Sequence, residues 1–125
     1  MPLRLLRAVP AALACALALP AAASAQTNPY TEGPGAISAY PSPGTISAGP
    51  QTQISLRGAR RSRLGTIRVT GSRSGRHKGR LRGHSDGQGA SYVMPRAFRG
   101  GERVTVRTAL PIRGSRSGDF SFRIA

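Results

Sequence analysis

Four segments of the chain alternate polar and apolar residues, and this period of two is the strongest constraint on the fold. The segments are 53–57, 66–70, 103–107 and 119–124. Successive side chains of a β-strand point to opposite faces of a sheet, so each segment offers one apolar face to a core. Residues 26–125 contain no sustained helical period. The sequence therefore predicts an all-β fold.

Turn-forming residues separate these segments. Glycines recur between them, as at Gly58, Asp86-Gly87 and Gly100-Gly101, and Pro41 to Gly44 is predicted to form the turn after a first edge strand at 36–40. Weaker strand candidates at 80–82 and 90–94 bring the total to about seven. That number is expected of a small immunoglobulin-like β-sandwich.

The N-terminal residues 1–25 have the organisation of a secretory signal peptide. Arg4 and Arg7 precede an apolar run at 8–19, and Ala23-Ser24-Ala25 supplies small residues before Gln26. We therefore predict cleavage between Ala25 and Gln26 and a location outside the cell or in its envelope. The membrane is expected to be a partner only before that cleavage.

Two alternatives use the same apolar run. An uncleaved membrane anchor is disfavoured because Pro10 and Pro20 bound a run shorter than the roughly 20 residues of a membrane span. A lipoprotein modified at Cys15 is disfavoured because this cysteine lies within the run and not at its end.

After the signal peptide, residues 26–35 are predicted to be a flexible leader and residues 36–125 a single domain. The leader is rich in Pro, Gly, Ser and Thr. Cys15 is the only cysteine, so the exported part has no disulfide and depends on a hydrophobic core. We expect a monomer with one thin core.

The exported chain is strongly cationic. Without Arg4 and Arg7 it retains 17 of the 19 cationic residues against all four acidic ones, a net charge of +13. Such a charge favours polyanions as partners. A compositional interpretation stands beside this one, because Lys78 is the only lysine and a GC-rich genome favours arginine, glycine, alanine and proline.

The densest cationic stretch runs from Arg73 to Arg82 and is predicted to be a glycine-rich loop that leads into the weak strand candidate at 80–82. Its candidate anion-binding residues are Arg73, Arg76, Lys78, Arg80 and Arg82. Outward arginines of the strands are expected to assist them: Arg68, Arg103, Arg107 and Arg123. The sequence Gly-Ser-Arg-Ser-Gly occurs at 71–75 and again at 114–118. Each copy is either a flexible turn or a backbone nest that receives an anion.

No arrangement of residues predicts catalysis, a metal site or a cofactor. A hydrolase elbow needs serine at the centre of Gly-x-Ser-x-Gly, and arginine occupies that position in both repeats. The carboxylates Asp86 and Asp119 fall in predicted turns, so they do not suggest a catalytic pair. His77 and His84 are predicted to be solvated loop histidines, because zinc requires three or four ligands. We expect no enzyme activity from this chain.

Specific nucleic-acid recognition is also disfavoured. Surfaces that bind single strands interleave aromatic side chains on which bases stack, and none occurs between Tyr40 and Tyr92. We expect only nonspecific, salt-sensitive binding of nucleic acid in solution.

Several stretches resemble the N-terminal domain of actinobacterial arylsulfotransferase-family proteins. They are 71–77, 79–82, 85–92 and the pattern Phe98-x-x-Gly101 continued through 102–106, with 53–58 and 119–124 fitting the same pattern. The resemblance covers roughly residues 40 to 124. It implies a secreted actinobacterial protein with an immunoglobulin-like β-sandwich.

The chain departs from that family in lacking the catalytic propeller. The resemblance places the family's catalytic histidine in the propeller, so neither His77 nor His84 corresponds to it. We therefore expect a secreted accessory or interaction module that contacts an anionic cell-envelope polymer or a partner protein. The first alternative is a truncated or split arylsulfotransferase-family protein, and the second is a cationic effector peptide that is disordered in water.

Overall fold

The structure, a computed structural model, describes residues 36–125, which form eight strands and a single 3-10 turn at Arg61–Arg63. The strands are β1 (Ser38–Tyr40), β2 (Ile54–Arg57), β3 (Arg68–Gly71), β4 (Gly75–His77), β5 (Arg80–Gly83), β6 (Gly89–Val93), β7 (Arg103–Arg107) and β8 (Phe120–Arg123). The predicted signal peptide and leader, residues 1–35, lie outside the described residues. In the part that is described, no helix is long and apolar enough to cross a membrane.

The strands form two antiparallel sheets of four. One sheet has the order β1-β2-β6-β5 and the other the order β4-β3-β7-β8. These orders correspond to the ABED and CFG sheets of an immunoglobulin-like sandwich, with one additional strand beside C. The all-β sandwich predicted from the alternating segments is confirmed.

The strand that the sequence did not predict is β4, so the described residues contain eight strands instead of about seven. Gly75–His77 is three residues long and falls in the stretch interpreted as a cationic loop. It pairs with β3 through Gly71↔Gly75 and Val69↔His77. A strand this short has too few side chains for an alternating pattern to be recognised. Its backbone pairing with β3, and not a local sequence pattern, makes these residues a strand.

The core lies between the sheets and consists of the inward residues of the alternating segments. Ile54 and Leu56 from β2 and Val104 and Val106 from β7 are all completely buried. Fully burying an aliphatic side chain contributes about 1.5 to 3 kcal/mol. Residues outside the strands close the ends of this core: Leu64, Ile67, Phe98, Ile112 and Ile124.

The segment at 44–48 protects the outer edge of β8. After the cis peptide Tyr40-Pro41, the chain leaves β1 and runs beside β8, where Gly44 N donates to Ser121 O at 2.8 Å and Ala48 N to Arg123 O at 3.0 Å. Ala48 and Ile124 form a parallel bridge. This contact satisfies backbone groups that an exposed edge strand would leave free to pair with another chain.

Replacing Leu56 by Ala is expected to lower the free energy of unfolding by about 2 to 5 kcal/mol, because it empties a fully buried site. Ile46, which is 78% exposed, provides the control, and Ile46→Ala should change stability by less than about 0.5 kcal/mol. Urea denaturation of both variants measures the difference. Equal losses would contradict the assignment of the core.

Candidate anion-binding surface

The outer face of the β4-β3-β7-β8 sheet carries pairs of arginines that stand directly opposite each other. Arg68 on β3 pairs in register with Arg107 on β7, and Arg103 on β7 pairs with Arg123 on β8. All four are exposed, because the alternate positions of these strands point into the core. Cβ atoms at such positions are roughly 5 Å apart. Two pairs of positive charges are therefore built into the register of this sheet.

A row of hydroxyl groups separates the two arginine pairs. Thr70, Thr105 and Ser121 lie opposite one another across β3, β7 and β8, and Arg76 of β4 extends the same row. Residues two positions apart on a strand are separated by roughly 6.7 Å. The arginine pairs therefore lie about 13 Å apart, with small polar side chains between them.

None of these arginines has an acidic partner among residues 36–125. Arg57 and Asp86 form a salt bridge at 2.5 Å on the other sheet, and Glu102 is buried. Like charges directly opposite each other destabilise a sheet, and no salt bridge with a carboxylate of residues 36–125 offsets the repulsion here. An added polyanion would relieve it. We call Arg68, Arg76, Arg103, Arg107 and Arg123 the arginine face.

The five candidates predicted from the sequence do not form a single loop. All are exposed, but Arg76 belongs to the arginine face and Arg80 and Arg82 lie on β5 in the other sheet. Lys78 lies in the short connection between β4 and β5. Arg73 is at the β3–β4 turn, where its guanidinium donates to Gly100 O at 3.4 Å. The structure thus distributes them along one edge of the sandwich.

The first Gly-Ser-Arg-Ser-Gly repeat does receive an anion, but the anion comes from the same chain. The backbone N–H groups of Arg73 and Ser74 donate to Glu102 Oε1 at 3.2 and 3.1 Å, and the Ser74 hydroxyl donates to the same oxygen at 2.8 Å. The backbone N–H of Arg99 donates to Oε2. A Cβ on Gly71 would lie 1.9 Å from Glu102 Oε1, so the carboxylate needs glycine there.

The second repeat forms a turn closed by its own serine. Ser115 Oγ donates to Ile112 O at 3.0 Å and accepts from the backbone N–H of Gly118 at 3.1 Å. Identical sequences at 71–75 and 114–118 therefore have different structural roles, because only the first lies beside a carboxylate.

Glu102 is a buried charge that backbone donors stabilise. The residue is 1% exposed. Burial by itself raises the pKa of Glu102, but the hydrogen bonds from Arg99, Ser74 and Arg73 together outweigh burial and lower the pKa to about 2. The carboxylate is therefore ionised at neutral pH, and it ties the β3–β4 turn to the start of β7.

The prediction that His77 is a solvated loop residue is wrong. His77 is 2% exposed, and its ring lies 4.3 Å from that of Phe98, centroid to centroid. Its Nδ1 contacts Arg96 O at 3.1 Å and its Nε2 contacts Ser74 Oγ at 2.7 Å. The alternation that places Arg76 and Lys78 outward places His77 inward. Gly75 and Gly79 interrupt this alternation on either side, so the sequence shows it over only three residues.

His84 is also held within the structure. It is half-buried, with Nδ1 3.0 Å from Arg57 Nη1 and Nε2 3.0 Å from Ser91 Oγ. Both histidines therefore have structural partners. Within residues 36–125, no group of three or more His, Cys, Asp or Glu side chains is placed to hold a metal ion.

The contacts of His77 determine which of its ring nitrogens carries a proton. Because Arg96 O only accepts, the contact with Nδ1 requires a proton on that nitrogen. A neutral ring has only a lone pair on Nε2, so His77 Nε2 and Glu102 Oε1 compete for the single Ser74 hydroxyl proton. The three backbone hydrogen bonds to Glu102 do not depend on that proton. Burial and the nearby Arg96 guanidinium lower the pKa of His77, which favours this neutral form.

Comparison of the chain with models of protein families, with curated proteins and with solved structures returned no match. The resemblance to arylsulfotransferase N-terminal domains therefore stays a prediction.

Glu102 should make the stability of the protein depend on acid. Its pKa is about 4.5 when unfolded and about 2 when folded, so its contribution is complete above pH 4.5 and is lost as the pH falls toward 2. The expected loss is about 3 kcal/mol. Urea denaturation between these pH values measures it, and Glu102→Gln should lack this component. An unchanged acid dependence in Glu102→Gln would contradict the role of the carboxylate.

His77 should titrate below 6.5, its ordinary value, and should carry its proton on Nδ1 when neutral. NMR measurement of the two ring nitrogen shifts across the acid range reports both properties. A neutral ring protonated at Nε2 would contradict the contact with Arg96 O.

Proposed function

We propose that this chain is a secreted, non-enzymatic β-sandwich module that binds an anionic cell-envelope polymer through its arginine face. The observation that carries the proposal is the pairing of Arg68 with Arg107 and of Arg103 with Arg123 on one sheet surface that lacks acidic partners within the described residues. The predicted signal peptide at residues 1–25 is the reason for proposing that the protein is exported to the cell envelope or beyond it.

Arginine suits this role because its planar guanidinium presents several donors at once. It forms bidentate hydrogen bonds with phosphate, sulfate or carboxylate oxygens. The strands set the spacing of the arginines in advance, while the long side chains can adjust to a flexible polymer. Each exposed contact contributes little by itself. Affinity would therefore come from several contacts together, which is the behaviour expected toward a repeating anion.

The arrangement of Ser74, His77 and Glu102 supports a structural interpretation over a catalytic one. Ser74 Oγ lies between the other two, at 2.7 Å from His77 Nε2 and 2.8 Å from Glu102 Oε1. In a hydrolase triad the histidine lies between the serine and the acid. Here His77 and Glu102 are 2% and 1% exposed. These contacts stabilise the β3–β4 turn.

A polymer without bases fits the arginine face better than a nucleic acid does. Phe98, Phe120, Phe122 and Tyr92 are buried, and Tyr40, which is 67% exposed, belongs to the other sheet. Within residues 36–125, the arginine face therefore has no aromatic side chain on which a base can stack. Its hydroxyl row offers hydrogen bonds to the backbone of a sugar or polyol chain.

The proposal predicts that Arg103→Ser combined with Arg123→Ser weakens binding to isolated cell walls and to long-chain polyphosphate. The slope of log K against log salt is negative, and removing two ionic contacts should reduce its magnitude by roughly 1.4 to 1.8. Sedimentation with cell walls and fluorescence titration with polyphosphate at several salt concentrations measure these effects.

The matched control is Arg60→Ser combined with Arg113→Ser. Both residues are exposed and lie outside the arginine face, so the control loses the same net charge. It should retain the salt dependence of the original protein. If the two double variants bind equally, net charge alone governs binding and the proposed site is wrong.

A further inference from the structure

A row of cations continues from the arginine face around the β4–β5 edge. Arg76, Lys78, Arg80 and Arg82 occupy every second position, and all are exposed. His77 and Leu81, between them, are buried and half-buried respectively. Because the alternation persists while the chain passes from one sheet to the other, the cations stay on the outside throughout.

The connection that carries Lys78 is packed tightly against the neighbouring sheet. A Cβ on Gly79 would lie 2.4 Å from Val93 O and 3.0 Å from the Tyr92 ring, so no larger residue fits there without movement. Lys78, Arg80 and Arg82 line one groove together with Val93 and Pro95. The fold therefore holds these cations in sequence along a single surface.

The cationic row ends at β5 and does not spread across the outer face of the β1-β2-β6-β5 sheet. On that face, Arg57 is paired with Asp86, and the remaining outward positions of β1 and β2 are Ser38, Tyr40 and Ser55. The cations beyond the edge thus extend the arginine face and do not form a second face of equal extent.

We propose that one linear polyanion runs from the arginine face, around the β4–β5 edge past Lys78, and onto Arg80 and Arg82. This inference rests on the proposed function and adds the path of the polymer, which brings Lys78, Arg80 and Arg82 into the site. The path crosses three strand spacings from β8 to β4 and one sheet separation from β4 to β5, a length of roughly 25 Å. A shorter oligomer would occupy only part of it.

The test compares tetrapolyphosphate with long-chain polyphosphate, using the unchanged protein and the single variants Arg80→Ser, Arg82→Ser and Arg113→Ser. For the long chain, Arg80→Ser and Arg82→Ser should each reduce the magnitude of the negative slope of log K against log salt by roughly 0.7 to 0.9. Arg113→Ser, next to Ile112 at the opposite edge beside β1, should leave the slope unchanged. Tetrapolyphosphate should bind with a smaller slope than the long chain.

The outcomes separate this inference from the proposed function. If Arg80→Ser and Arg113→Ser have equal effects on the long chain while Arg103→Ser with Arg123→Ser still weakens binding, the wrapped path is wrong and the arginine face stands. If the Arg103 and Arg123 double variant binds normally, both are wrong. Light scattering that shows each protein joining two polymer chains would also overturn the path along one chain.

Discussion

The buried carboxylate of Glu102 holds together the end of the sandwich that carries the arginine face. Its two oxygens accept from the backbone of Arg73, Ser74 and Arg99 and from the Ser74 hydroxyl, and its own carbonyl accepts from Ile124 N at 2.9 Å. An isolated charge in a core is strongly unfavourable unless hydrogen bonds compensate it. Three backbone donors do so here, with a fourth hydrogen bond when the Ser74 hydroxyl proton points to Glu102, and they tie the β3–β4 turn to the segment just before β7.

Burial on the inner face of this sheet offsets the positive charge on its outer face. Arg68 faces Arg107 and Arg103 faces Arg123 without an intervening carboxylate, an arrangement that costs stability. The completely buried Val69, Val104 and Val106 behind them hold the strands in register. Repulsion on the outer face is thereby offset by burial on the inner face, and the cations remain available to a ligand.

Much of the architecture could be predicted because strands with one buried face leave a local signal. Ile54, Leu56, Val104 and Val106 are all inward, as the period of two indicates. The same period extends one step beyond the segment 103–107. Glu102 is in phase with Val104 and Val106, which identifies it as an inward carboxylate. The strand β4 could not be predicted in this way, because three residues are too few to show a period of two.

The sequence by itself determined the all-β class, most of the strands and which side chains of the four alternating segments point outward, because these depend on local alternation. Only the tertiary structure decided which cations meet. Arg68 and Arg107 are 39 positions apart in the chain and become neighbours through the pairing of β3 with β7, whereas Arg76 and Arg80, only four apart, belong to different sheets. Strand pairing is a non-local choice governed by burial of both inner faces at once, and a local pattern does not specify it.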